Sequence, residues 1–378
     1  MNKQRISVTD LVIGQALRWN ILDEQGALLL SKGYIIENQN QIDGLIERGL
    51  FFDAPHIPPK PTSIVAKVKE LPSVVHFVNL ASKRLEQILF GLHLEQDAQS
   101  KILEVAKTLI LAVNLNADIA LACMMMNRAM ENFTIRHSVD TAILSQLVAQ
   151  AMKKPSDEVI QIVAAAFTMN VGMLRQHNQL QSKAEPLTEI ESELVRMHPE
   201  ESVTLLRQAG INDEAWLSYV LHHHENENGT GYPFKKSGQD IPQNAKIISL
   251  SDIYCARVTA REYRKPLLPQ VALRGLFFDE RKTVDTNLAP YFVQELGLYP
   301  PGCYVRLQNG EIGIVTQKGH TPTTPIVHVH IGPRGVPLAF PIRRDTAKPL
   351  YKINSSVQAE EAPSQFSMQQ LWGSEAAV

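Results

Sequence analysis

The chain has 378 residues, enough for one large domain or two to three ordinary ones. Hydrophobic residues make up 44% and charged residues 20%, and 37 basic against 39 acidic side chains leave a net charge of −2. That balance argues against nucleic acid or an anionic membrane surface as a partner, while leaving room for a local basic patch. Cys123, Cys255 and Cys303 lie far apart and form no CxxC pair, which argues against a disulfide framework or structural zinc and suits a reducing compartment.

In chain order, residues 1–60 read as a small α+β module. Leu17–Leu22 and Ala27–Leu30 flank the turn Asp23-Glu24-Gln25-Gly26 as a hairpin, and Ile42, Leu45 and Ile46 have helical spacing within 38–49. The proline-rich run 55–61 cannot be helical and serves as a linker, so 61–99 is expected to be linker and helix. From 100 to 298 helical periodicity dominates, as in 102–115, 138–152 and 159–167. Thr188 and Glu191 have capping-box spacing, which predicts a helix over 189–209; Pro242 suits the first turn of another that reaches Val258. Met124, Met125 and Met126 read as core filling, and a long helix over 73–92 could pair two chains or pack within one.

After Pro300 the texture becomes β. Asn309-Gly310 between two alternating runs is a strong hairpin signal, and Ile326–Ile331 alternates as a further strand, so 299–352 is expected to be a small β-barrel or sheet. The polar residues 353–378 are expected to be a disordered tail. The N-terminus has no secretory pattern and no apolar run approaches a membrane span, so the expected setting is the cytoplasm. The fold class expected is a mainly α protein, an all-α bundle flanked by these two small modules.

Several histidines in the helical body have suggestive neighbours: His137, His198, and His223 with His224 in the run Leu221-His-His-His-Glu225, with Asp252 further on. Imidazole and carboxylate suit a divalent Fe, Mn or Zn. Neighbouring histidines diverge by about 100° on a helix, so His223 and His224 could address two different metals rather than chelate one. Taken singly, each is more often a hydrogen-bonded core residue. After them, Asn228-Gly229-Thr230-Gly231-Tyr232-Pro233 forms a glycine-shaped loop.

This loop resembles the HHExxDGxGYP signature of the HD-GYP family, with Asn228 at the acidic position. Arg136-His137-Ser138 resembles that family's first histidine helix. Leu187-Thr188 with Glu191 and Met197-His198-Pro199 resemble its next stretch, and Asp252-Ile-Tyr254 with Thr259-Ala-Arg261-Glu-Tyr263-Arg264 its last. The likeness covers roughly 100–290. It implies an all-α metal phosphodiesterase fold that acts on cyclic di-guanylate. It places His137, His198, His223, His224 and Asp252 as metal ligands and Arg261 and Arg264 against substrate phosphates. Gly229, Gly231, Tyr232 and Pro233 fall on the surface that the family associates with GGDEF-domain partners.

The namesake pair is absent. Where the family has an HDiGK string, this chain has Met169-Asn170-Val171-Gly172-Met173, and the position one turn before His137 is Phe133. A carboxylate bridges two cations, whereas an amide is neutral and a poorer ligand, and a thioether is soft where imidazole is wanted. No intact bimetallic centre is expected: one weakly held divalent metal, or none. His177, two turns beyond Met169 on a continuous helix, would lie too far to substitute and reads as a solvent-facing residue. The preferred expectation is a non-catalytic receptor or scaffold in cyclic di-guanylate signalling. The alternatives are a phosphohydrolase that uses the residual ligands, or a purely structural body with core histidines.

Overall fold

The computed structural model describes residues 3–5, 14, 16–17, 19–23, 25, 27–36, 41, 51–53, 73–126, 132–183, 185–259, 265–279, 282–361 and 366–378. The chain divides into two compact units, Met1–Glu70 and Leu71–Val378.

In the first unit, β1 (Lys3–Arg5), β2 (Ile21–Leu22), β3 (Leu28–Leu30) and β4 (Phe51–Asp53) form one sheet in the order β1-β4-β2-β3. β2 and β3 are the antiparallel pair of the expected hairpin. Its turn is held by the Asp23 carboxylate, which accepts from the amides of Gln25 (2.9 Å) and Ala27 (2.8 Å). The helix expected within 38–49 and the proline linker lie outside the described residues, apart from Gln41, which is helical.

The second unit begins at Ser73, whose hydroxyl caps α1 (Val74–Phe90) by accepting from His76 N. α1 buries Val74, Val78, Ala81, Leu85 and Leu89, an i, i+3/i+4 stripe laid against α2 (Ala98–Leu115). α3 (Ala117–Met126) carries the methionine run, of which Met124 and Met125 pack on the core. α4 (Phe133–Ala151) is buried on nearly every face, including Ser138, Asp140, Thr141 and Ser145, so it is the central helix. Around it stand α5 (Ser156–Thr168), α9 (Gln243–Val258) and α11 (Ala289–Leu296). α5 and α6 (Leu174–Ser182) are separated by a tight 3-10 turn at Val171–Met173. α7 (Glu189–Gln208) starts with the full Thr188/Glu191 capping box, and α8 (Glu214–His222) is capped by Asp213. The short α10 (Pro269–Arg274) follows α9. Among the described residues, one stretch (156–177) has the length and apolar composition to cross a membrane, but most of it is buried inside this body.

The C-terminal β region belongs to the same compact unit. β5 (Tyr304–Leu307), β6 (Ile312–Gln317), β7 (Ile326–Ile331), β8 (Pro337–Asp345) and β9 (Ile353–Val357) make a five-stranded antiparallel sheet in the order β8-β7-β6-β5-β9. The Asn309-Gly310 turn joins β5 to β6 with Gly310 at φ 87°. Val305, Leu307, Val315, Val327 and Val329 form its buried face.

The disordered tail expected over 353–378 is corrected at both of its ends. β9 pairs with β5, and α12 (Met368–Trp372) starts with a Ser367/Gln370 capping box. Leu371 and Ala376 are buried, Trp372 Nε1 donates to Thr316 O at 2.7 Å, and the Ser73 hydroxyl meets the carbonyl of Ala377. The average polarity of the segment concealed a few well-placed apolar residues. Deleting 366–378 is therefore expected to cost about 3 kcal/mol and to lower the melting temperature by several degrees in a thermal-shift assay. An unchanged melting curve would restore the disordered tail.

Candidate metal centre

Three imidazoles converge where α7 meets the end of α8. His198 Nδ1 lies 2.6 Å from Val195 O and His223 Nδ1 lies 2.7 Å from Val220 O. A carbonyl can only accept, so each Nδ1 carries the hydrogen and each Nε2 keeps its lone pair. The two Nε2 atoms face each other at 3.3 Å. Burial, and then the neighbouring His223, pushes His198 down to about 3, and burial also lowers His223, so a shared proton is disfavoured. His224 completes the group, with one ligand atom from each of the three residues within 4.8 Å of the others. His223 and His224 thus lie in one donor group, where their spacing on a helix could have sent them to different metals. α8 ends at His222, so the two residues occupy its C-cap and the chain beyond it, and the helical divergence does not apply.

On the other side, α4 and α9 bring His137 Nε2 within 2.5 Å of Asp252 Oδ1. Burial would raise the Asp252 carboxyl, but the His137 hydrogen bond and the nearby imidazoles hold it well below the usual carboxylate range. The Phe133 ring stacks on His137 (centroids 5.8 Å apart, planes 6° apart), so an aromatic surface stands one turn before it.

His177 overturns its expectation. It is 3% exposed, its ring centroid is 6.2 Å from that of His137, and it lines the same cavity. The helix it was placed on is interrupted at 169–173, where a 3-10 turn precedes α6, and His177 packs against His137 of α4. Gly172 makes the turn fit. A Cβ there would stand 2.6 Å from His198 O and 2.7 Å from Ser202 N, both backbone atoms. Ser202 Oγ also accepts from Gly172 N and donates to Met169 O, each at 2.9 Å. A glycine inside an apolar helical run was the available sign of a break. Gly172→Ala is expected to cost about 2 kcal/mol or more by forcing α7 and His198 to move, read as a lower urea midpoint.

Met169 is fully buried in the apolar core, whereas Asn170 and Met173 line the cavity. Asn170 is 4% exposed, and its side-chain oxygen has no hydrogen-bond partner among the described residues. The cavity, about 530 Å³, is also lined by His137, His224, Asp252, Tyr232 and Lys183. Lys183 was not singled out by sequence. Its ammonium donates to Glu191 at 2.6 and 2.9 Å, and Glu191 is itself fixed by the α7 capping box.

The glycine loop closes over this wall. Glu225, buried, accepts from the amides of Phe234 (2.7 Å) and Lys236 (2.9 Å) and so clamps both sides of the loop. A Cβ on Gly231 would stand 2.4 Å from Asn226 N, and Gly229 has φ 74°. Tyr232 stacks on His224 at 4.7 Å and is followed by Pro233. Asn228 Oδ1 accepts from Thr230 N at 3.2 Å, a turn that an aspartate would make equally well. Arg261 and Arg264 lie outside the described residues.

Residues 110–288 match the HD domain family. The helical body is an HD domain of the HD-GYP family. Its relatives include the cyclic di-GMP phosphodiesterase PA4108 of Pseudomonas aeruginosa, 29% identical over 57% of this chain and 52% of that one. Another is the cyclic di-GMP phosphodiesterase PdeB of Borreliella burgdorferi, 26% identical over 52% of each. The chain thus spans about half the length of the curated relatives it matches. Among solved structures, Bd1817, a HDG"Y"P protein from Bdellovibrio bacteriovorus, superposes with a TM-score of 0.51 at 14% identity over 78% of this chain and 99% of that one, a likeness of fold.

HD domains are metal-dependent, and the imidazole cluster of this HD domain fits a divalent cation. Two neutral Nε2 lone pairs 3.3 Å apart repel unless a positive charge lies between them. The carbonyls behind His198 and His223 fix tautomer and orientation, the usual second layer of a histidine metal site.

Proposed function

We propose that this HD domain holds a divalent cation at His198, His223 and His224 and binds cyclic di-guanylate without cleaving it, as a receptor in cyclic di-guanylate signalling. One observation carries the reading. At the namesake pair Met169 is packed into the core and Asn170 is neutral, while the imidazole cluster and the cavity beside it are retained. Without a carboxylate at Asn170, nothing there bridges two cations and holds a hydroxide between them for in-line attack. The names of the relatives support the nucleotide class. A GGDEF-domain partner would meet the glycine loop next to Gly229, Gly231, Tyr232 and Pro233, at the exposed Phe234 and Lys235.

A surviving phosphohydrolase is the second reading, favoured by the donors His137, Asp252 and His177 that still face the cavity. Calorimetric titration of the manganese-loaded full chain with cyclic di-guanylate, with chromatography of the same sample, separates the two. Saturable binding with intact nucleotide supports the receptor. Linear dinucleotide formed over many turnovers supports the hydrolase, and no heat of binding removes the nucleotide role.

A further inference from the structure

Part of the cavity wall carries acceptors that no donor meets. Asn170 is 4% exposed, and its Oδ1 has no hydrogen-bond partner among the described residues. The 3-10 turn that follows takes no cap from this side chain, so the turn does not use the amide. His137, 5% exposed, has its Nε2 against Asp252 Oδ1, while its Nδ1 has no partner among the described residues. A carboxylate accepts, so the hydrogen sits on Nε2 and Nδ1 presents a lone pair. Asn170, His137 and Asp252 all line the same cavity. Lys183, which also lines it, does not supply the missing hydrogens, because its ammonium is taken up by Glu191. A buried acceptor left unmet costs about 1–3 kcal/mol, so this wall suits a ligand that brings N–H groups.

We propose that Asn170, His137 and Asp252 receive the Watson–Crick edge of a guanine base, with Asn170 as a specificity-determining residue. This deepens the nucleotide-receptor reading and rests on it. Guanine presents two adjacent donors on that edge, the ring N1–H and the 2-amino group, whereas adenine presents one amino group beside a ring acceptor. A ring acceptor facing the Asp252 carboxylate would repel it, so adenine is disfavoured as well as less well bonded. Leu180, Leu187 and Val195 line the same cavity and offer apolar surface to the faces of the ring. The amide at position 170, a poor bridge for cations, thus has a use in reading the base.

The test is calorimetric titration of the manganese-loaded full chain with three cyclic dinucleotides of one backbone: cyclic di-guanylate, its inosine analogue, which lacks the 2-amino group, and cyclic di-adenylate. Wild type is expected to bind cyclic di-guanylate about tenfold or more tighter than either of the others. Asn170→Leu, close in volume, is expected to narrow that preference to about threefold or less with manganese uptake unchanged. The variant should melt no lower than wild type, because it removes an unmet buried acceptor, so unfolding would not explain the lost preference. Equal affinities for the three ligands in wild type would overturn the guanine assignment without recourse to any variant. An undiminished preference in Asn170→Leu would overturn the role of Asn170. Failure of the underlying receptor reading looks different: manganese is taken up, none of the three dinucleotides binds, and the base assignment falls with it.

Discussion

Asn170→Asp is expected to make the stability of this protein strongly dependent on metal. The new carboxylate would stand in the cavity that Asp252 also lines, where the residue is 4% exposed. Without a cation, a buried and uncompensated charge costs about 3 kcal/mol or more, so the metal-free variant should melt several degrees below wild type. With manganese in excess the order should reverse. The carboxylate then has a cation to pair with, and tighter binding raises stability by mass action. Calorimetric scans of both proteins with chelator and with manganese read the effect directly. Equal metal-induced shifts in the two would mean that position 170 does not face the cation. The same variant is also the one in which nucleotide hydrolysis should first become measurable, because it regains a group able to bridge.

His198→Ala should produce the largest loss of metal affinity of any single change, at least 100-fold, or about 2.8 kcal/mol. It removes one of three convergent donors and the backbone-anchored tautomer that orients it. The metal-free protein should hardly notice, because the change also separates the two facing lone pairs of His198 and His223. The signature is therefore a loss of the metal-induced shift in melting temperature with little change in the baseline. A shift that persists at wild-type size would move the cation away from this cluster.

Much of the helical frame was legible in the chain because it is written locally. The Thr188/Glu191 box and the Asn309-Gly310 turn each need only a few consecutive residues to act. His198, His223, His224, His137 and Asp252 could be singled out through the family resemblance, and the fold gathers the first three into one group and pairs the last two. What escaped depends on contacts between distant segments. His177 is buried beside His137, and Gly172 before it lies against the backbone of His198 and Ser202, 26 and 30 residues further on. Lys183 lines the cavity because a helix cap that forms for its own reasons also holds an ammonium. The folded tail depends on a few apolar side chains whose partners lie at Ser73 and Thr316.

That tail has a mechanical consequence. The hydroxyl that caps the first helix of the second unit also meets the carbonyl of the penultimate residue, and Trp372 is tied to a strand of the sheet. The start of the bundle, its last residues and the sheet are thus stitched together at one place. A pull on either end of this unit would load the same seam, and bundle and sheet should come apart in a single cooperative event rather than one after the other. For the same reason the two ends could be joined by a short linker and the chain reopened elsewhere, with the metal-facing helices left in place.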